Sequence, residues 1–458
     1  MKNTAIGKSI QYLALCFVTA ALLCFAQVSG SEVMILGVLV LQLVLTVAAA
    51  FGSMASPVLL FFLPWSTVIK LSPGNTSFYT IGLMGVCLVY MIRRGLQLNR
   101  RCLAAAIGLM AVTLVGKLLS DEWLSMSYVM FFFLLILFPQ VMREISAGVN
   151  FRLLTVFFSL GIIGAAISAR MLLNFSNIAR YIDVDSWTNV VRYSGYYGDP
   201  NFYSAHISAA LGGVLMIIAS EKQMKRLVLW LLLAAVLLYC GLMSASKAFV
   251  LSAMIMLLLW VILIMVRRGG TVIKLGVLLG VLAVSVIIVR THAFEEVIQV
   301  ISHRFSAGTG LSDLTTGRAD LWQNYTETLL ESPDLLFLGT GYSNVKLGGR
   351  APHNTLIQMV FQFGLIGLPL ILYWMNAYLT GALRGCRVRL LSVSVLLIGV
   401  FMPWLALDML FFDEFFLMPL YVAAAGVHLH DANSKSGAPK GNAAAGTGQT
   451  GPNTPDSV

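Results

Sequence analysis

The sequence predicts an all-α polytopic membrane protein of about 12–14 transmembrane helices, with one large extracytoplasmic helical loop. Three observations predict it. Of the 458 residues, 58% are hydrophobic and only 11% are charged, whereas a soluble domain carries about 25% charged residues. The mean hydropathy is +0.85. The apolar residues also fall into runs near the roughly 20 residues that a helix needs to cross hydrocarbon.

Fourteen runs are candidate spans: 11–28, 33–51, 56–70, 77–92, 102–119, 124–142, 151–173, 202–219, 227–243, 248–266, 272–290, 355–379, 388–407 and 410–428. The first follows Lys2 and Lys8 as a secretion signal would. It lacks a small-x-small cleavage site and another apolar run follows at once, so it reads as an uncleaved span. The third is short and interrupted by Pro57 and Pro64, which marks it as re-entrant or broken.

These runs divide the chain into N-terminal transmembrane helices (1–173), a first extracytoplasmic loop (174–201), further transmembrane helices (202–290), a large extracytoplasmic loop (291–354) and C-terminal transmembrane helices (355–428). The remainder, 429–458, is expected to be a disordered cytoplasmic tail. It is rich in small and polar residues and has no apolar periodicity.

Orientation follows from the basic residues. With the N-terminus inside, 19 of the 30 Lys and Arg fall on inner segments and nine on outer ones; Lys117 and Arg170 lie within spans, near enough to the ends to snorkel. The net charge of +10 is therefore a topology signal and needs no nucleic-acid partner. The six cysteines lie in or beside apolar runs without metal-ligand or CxxC spacing, and read as small apolar side chains.

The two long outer loops carry positive charge that orientation does not require. In the larger, "AFEEVIQVISHRF" places Phe294, Val297, Ile298 and Ile301 on one helical face. A second helix is expected over 318–332, with Leu321, Trp322, Tyr325 and Leu329 as its apolar stripe. Thr316 or Gly317 would cap it, and Pro333 would stop it. His292, His303, Arg304, Arg318, Arg350 and His353 sit in or beside this loop. An arginine fork binds two phosphate oxygens at once, so these cations suit a phosphate-bearing lipid. Asp183 and Asp185 form a D-x-D, but nothing nearby resembles a nucleotide-sugar domain, and no metal is expected. His206 lies just inside a span, where a polar residue is functional or paired.

The stretch "GRADLW…ESPDLLFLGTGYSN…HNTLIQMVFQFGLIG" resembles the bacterial O-antigen ligase and O-antigen polymerase superfamily. The matching residues are Gly317–Arg318, Trp322, Ser332–Pro333, Gly339 with Gly341, His353–Asn354, and Gly364 with Gly367. "RYSGYYGDPNFYSAH", 192–206, is similar to a second family motif of Arg, Gly and Pro-Asn before a span. "MSASKAF", 243–249, is similar to a third, with Lys247 where the family usually has arginine. The resemblance covers roughly residues 190–370.

The resemblance implies a membrane fold like that of GT-C glycosyltransferases. It implies inverting, metal-independent transfer of glycan from a polyprenyl diphosphate to an acceptor hydroxyl outside the cytoplasm, at the bacterial inner membrane, with no cofactor. Arg318 and His353 are then the catalytic candidates, His353 as general base or as a donor that orients the lipid. The alternative for His353 is to cap its helix with Asn354. Arg192, Lys247 and Arg318, then Arg304 and Arg350, would hold the diphosphate. Asp199, Asn201 and Asn354 would support them; Asp199 could instead begin a turn with Pro200. The implied partners are a polyprenyl-diphosphate-linked oligosaccharide, an acceptor glycan or glycolipid, membrane lipids and, for a polymerase, a chain-length regulator. Polymerase is the favoured reading and ligase the alternative. A transporter is the alternative of another class, but transporters place polar residues mid-membrane and show internal repeats, and this sequence shows neither pattern.

Overall fold

The structure, a computed structural model, describes residues 2–72, 76–120, 126–146, 150–179, 181, 192–221, 223–266, 295, 299, 302, 317–342, 345–383, 386 and 390–437. Their regular structure is helical, apart from one isolated bridge between Leu347 and Arg350. The helices are α1 (Lys2–Ser29), α2 (Glu32–Phe51), α3 (Ala55–Phe62), α4 (Phe78–Arg94), α5 (Arg100–Ser120), α6 (Met126–Ser146), α7 (Phe151–Met171), α8 (Ser176–Ala179), α9 (Pro200–Ser220), α10 (Met224–Met243) and α11 (Lys247–Val266). The large loop contains α12 (Arg318–Glu331) and α13 (Pro333–Leu338), and after it come α14 (Thr355–Ala382), α15 (Leu390–Phe401) and α16 (Glu414–Gly437).

Among the described residues, eight helices are long and apolar enough to cross a membrane: α1, α2, α5, α7, α9, α10, α11 and α14. Shorter apolar helices run over Ala55–Trp65, Met126–Val141 and Val393–Ala406. The protein is an all-α, multi-pass membrane protein. Several of the other expected runs are shorter or broken, or lie outside the described residues. The weak third run is broken as expected, since α3 ends at Phe62 and a 3-10 turn, Leu63–Trp65, carries Pro64. Pro403 ends α15 in a second 3-10 turn, Pro403–Ala406, and a third, Met409–Phe411, precedes α16. The run 272–290 lies outside the described residues, as does nearly all of the helix expected over 293–305.

Two other boundaries move. Helix α16 continues to Gly437, beyond the boundary at 428, because extending a formed helix adds one hydrogen bond for each residue fixed. Proline 333 does not end helical structure. Ser332 is extended (φ −123°), and Pro333 opens α13 at a position where its missing N–H would go unbonded anyway.

Helix α9 lies at the centre. In its apolar stretch 94% of residues are buried, against 28% in α1 and in α10, whose side chains face outward. It packs against α7, α10, α11 and α15. Indole N–H groups tie neighbouring helices to backbone carbonyls: Trp65 to Gly161 (3.0 Å), Trp260 to Leu215 (2.9 Å) and Trp374 to Leu135 (2.8 Å). Such groups have no water partner in hydrocarbon, so these bonds also fix helix orientation.

Helix α14 breaks at Gly364, where φ is 63° and ψ is −177°, a conformation open essentially to glycine alone. A side chain there would also run into the carbonyl of Phe337 at the end of α13. This gives the two-glycine pattern of "GLIG" a physical cause: the break lets α13 press onto α14. Gly364→Ala is expected to cost at least about 1–3 kcal/mol from backbone strain alone. Thermal unfolding of the purified protein in detergent measures it, and an unchanged midpoint would contradict the packing described.

Contacts gather particular helix ends. Gln27 donates to Val68 O (2.9 Å), Asn177 to Val28 O (3.2 Å), and Tyr193 N–H to Met243 O (3.0 Å). The described stretches 66–72, 76–77, 192–200, 243–247, 347–354 and 402–414 come to one end of the bundle, where Thr67 also donates to Tyr196 O, the Tyr197 hydroxyl to Glu414 and the Thr355 hydroxyl to Leu407 O. The opposite end carries the Arg152–Glu221 ion pair (2.9 Å) and Arg93 on Ala50 O (2.8 Å). The described parts of the two long loops that orientation placed outside thus share an end, and Arg93 and Arg152, placed inside, lie at the other.

Candidate functional site

Two of the motif stretches meet directly. Arg192 is buried, and its guanidinium donates from Nε to Ser244 O (2.9 Å) and from Nη2 to Ala245 O (3.5 Å). The Ser246 hydroxyl donates to Asn201 Oδ1 (2.8 Å). Asp199 caps α9, accepting from the backbone N–H (2.8 Å) and the side-chain amide (2.9 Å) of Asn201. The segment 192–201 is therefore clamped onto 244–246, immediately before Lys247, which opens α11. The expectations for two residues change. Arg192 spends part of its fork on backbone carbonyls, so it positions Lys247 and the α9 entry. Asp199 takes the turn-forming alternative.

Within the large loop, α12 carries Arg318 in its first turn. Gly317, at φ 76°, makes the entry that a side chain would strain, so the glycine of the expected pair is the cap. The expected stripe faces inward: Tyr325 and Leu329 are buried against Phe361 of α14, and Leu321 packs beside them. Trp322 Nε1 donates to Pro352 O (2.9 Å). The Tyr325 hydroxyl donates to Arg350 O (2.7 Å) and accepts from the Leu347 N–H (3.1 Å). These bonds lash the strap 347–352 to the helix that begins with Arg318, and so bring that helix beside His353. Arg350 enters through its carbonyl, while its side chain is exposed. Arg304, His303, His292, Asp183 and Asp185 lie outside the described residues.

His353 has φ 48°, one of three non-glycine residues with positive φ in the chain's described part. A branch into this region costs of order 1–3 kcal/mol unless its surroundings impose it. Here they do. The Asp408 carboxylate accepts from the N–H of His353 (Oδ2, 3.1 Å) and of Asn354 (Oδ1, 3.3 Å). The imidazole Nδ1 lies 3.3 Å from Oδ2, an ion-pair separation whose angle falls outside hydrogen-bond geometry. The His353 side chain is 37% exposed and that of Asp408 7%. Asn354 caps α14, accepting from Leu356 and Ile357 N–H. The cap is thus Asn354 alone, which leaves the His353 ring to other work.

The segment around Asp408 joins the two halves. Thr355 donates to Leu407 O (2.6 Å). A few residues on, Glu414 accepts from the Tyr197 hydroxyl, and its Oε1 lies 2.8 Å from His206 Nε2. Both side chains of the His206–Glu414 pair are almost fully buried, so the paired reading of His206 holds. Burial, reinforced by the Glu414 carboxylate, pushes the Tyr197 phenol far above its ordinary range and keeps it a proton donor. Burial pulls the Lys70 ammonium below its ordinary value, against the opposing pull of Asp413 and Glu414. Lys117 does not snorkel; it is buried, with its stem against Gly341, whereas Arg170 is exposed.

Asp408, Asp413, Glu414 and Lys70 were not among the expected site residues. A signal for them was present: "LALDMLFFDEFFLMPL" sets three acids in an apolar run, and the chain has only 20 acids in all. Among the described residues, no group of three or more His, Cys, Asp or Glu could hold a metal ion.

No family model matches this chain, and no curated protein matches it.

Proposed function

We propose that this protein is a membrane glycosyltransferase of the O-antigen ligase and polymerase type. It moves glycan from a polyprenyl diphosphate to an acceptor hydroxyl on the outer side of the bacterial inner membrane. The observation that carries this reading is His353. It is a partly exposed imidazole in a strained backbone conformation, held by a buried carboxylate, at the end of a strap lashed to the helix that starts with Arg318.

The chemistry assigns each part a role. The acceptor oxygen attacks the anomeric carbon, and the bond from that carbon to the phosphate oxygen breaks with its electron pair. His353 takes the hydroxyl proton, and Asp408 holds the backbone that carries the ring by accepting from the N–H groups of His353 and Asn354. Arg318 and Lys247 stabilise the charge that develops on the diphosphate. Each sits in the first turn of a helix, whose N–H groups add to the attraction for an anion. Arg192, Asp199, Asn201 and Asn354 hold these groups in place. Arg304 and Arg350 could add contacts to the diphosphate or to anionic headgroups.

Polymerase is favoured over ligase, and one experiment separates them. Deletion followed by gel analysis of the surface polysaccharide should leave one repeat unit on the acceptor lipid. Loss of all attached glycan, with lipid-linked polymer accumulating, would assign the ligase instead. An unchanged gel would contradict both.

A further inference from the structure

A cavity of about 230 Å3 opens at the same end of the bundle, between α4, α6 and the segment 410–416. Of the three motif stretches, only the first contributes to it, through Tyr342. Its lining has two characters. Phe131, Tyr342, Phe411 and Phe412 supply aromatic faces, and the Tyr342 ring stacks on Phe131 (4.2 Å) and meets Phe411 edge-on (4.9 Å). Around them lie the hydroxyls of Ser66, Thr67, Thr76, Ser77, Thr80 and Ser127. Thr76 and Ser127 are exposed, which puts hydroxyls at the mouth. The Thr80 hydroxyl donates to Asp413 Oδ2 (2.9 Å). Burial raises the Tyr342 phenol, so it enters the cavity neutral.

Charge decides what fits. Among the described residues that line the cavity, Lys70 is the one cation, and it faces the carboxylates of Asp413 and Glu414. That balance repels a diphosphate or a phospholipid headgroup. A lipid tail would lay methylenes against the hydroxyls of Thr76 and Ser127 at the mouth, which it cannot hydrogen-bond. A sugar ring satisfies both characters: its C–H face lies on aromatic rings, and its hydroxyls donate to carboxylates and accept from Lys, Ser and Thr. The volume is below the roughly 300–1,000 Å3 of sites that enclose drug-sized ligands, which leaves room for a single ring.

We infer that this cavity is the subsite for the terminal sugar of the acceptor, built to receive an uncharged ring and to keep the donor's diphosphate out. The inference rests on the glycan-transfer reading above and adds which substrate binds here. Its wall and the His353 anchor belong to one short segment, since Asp408 grips His353 and Phe411–Glu414 line the cavity. An acceptor sugar seated there lies close to the proposed base.

The test uses the purified full-length protein in detergent. The probe is the host's own repeat-unit oligosaccharide, released from its carrier by mild acid and so free of diphosphate. Saturation-transfer NMR should show transfer to its terminal ring. Ser127→Trp, which fills the mouth, and Asp413→Asn, which removes a charged acceptor, should each weaken binding by about tenfold or more. Ser127 is exposed, so its variant reads the mouth even if Asp413→Asn fails to fold. No saturation transfer from the wild-type protein to the ring, or equal transfer from Ser127→Trp, would overturn the inference. His353→Ala should bind the oligosaccharide normally and transfer none. If that variant binds normally and still transfers glycan, the base assignment fails and the subsite stands. If the wild-type protein transfers glycan while binding ignores the cavity variants, the subsite fails and the transferase reading stands.

Discussion

His353→Ala is expected to abolish the surface polymer while leaving the protein in the membrane at normal abundance. A positioned base contributes about 10²–10⁴-fold to rate, enough to take assembly of a repeating polymer below detection. The ring is partly exposed and its backbone is held by Asp408 through N–H groups that alanine keeps, so the fold should survive. Arg318→Ala should act alike, with a loss of about 10²–10³-fold for one transition-state donor. Arg318→Lys should restore only part of it, because the ammonium lacks the two-pronged fork. Gel analysis of polysaccharide beside quantified membrane protein measures all three. Normal glycan in both alanine variants would discard the site.

His206→Leu is expected to have the largest effect on stability. It leaves Glu414 almost fully buried without its imidazole partner, while the Tyr197 hydroxyl still donates to it. Breaking a buried pair from one side costs about 3–5 kcal/mol, because the surviving charge stays in low dielectric. The double variant His206→Leu/Glu414→Leu should regain much of that, since it buries no lone charge. Thermal unfolding in detergent, followed by the fraction still monodisperse on a sizing column, reads both. If the double variant is no more stable than the single one, the pair does more than neutralise charge.

The helices were legible because the membrane imposes a simple rule: long apolar runs must become helices. Hence α9, α10, α11 and α12 begin and end within a few residues of where hydropathy and capping place them. Shapes that depend on contact between distant segments were not legible. Gly364 breaks α14 because α13 needs its space, and α13 itself begins at a proline that reads locally as a stop. The site divides the same way. Arg318 and Lys247 stand out as cations, and His353 as a histidine, beside apolar runs. Asp408 shows in the sequence only as an acid in an apolar run, and its grip on His353, 55 positions earlier, depends on the fold. For Arg192 too, its type suggested phosphate, while the bonds of its guanidinium to the carbonyls of 244 and 245 depend on the fold.

The central claim is that the sugar leaves a polyprenyl diphosphate at a centre built by Arg318 and His353. The most direct measurement supplies the purified protein with a polyprenyl-diphosphate-linked repeat unit and an acceptor glycan, and quantifies free polyprenyl diphosphate together with extended product. The account predicts that both appear in equal amounts with the wild-type protein and neither with His353→Ala. Absence of release by a folded wild-type protein given the host's own donor, or equal release by the variant, would contradict it.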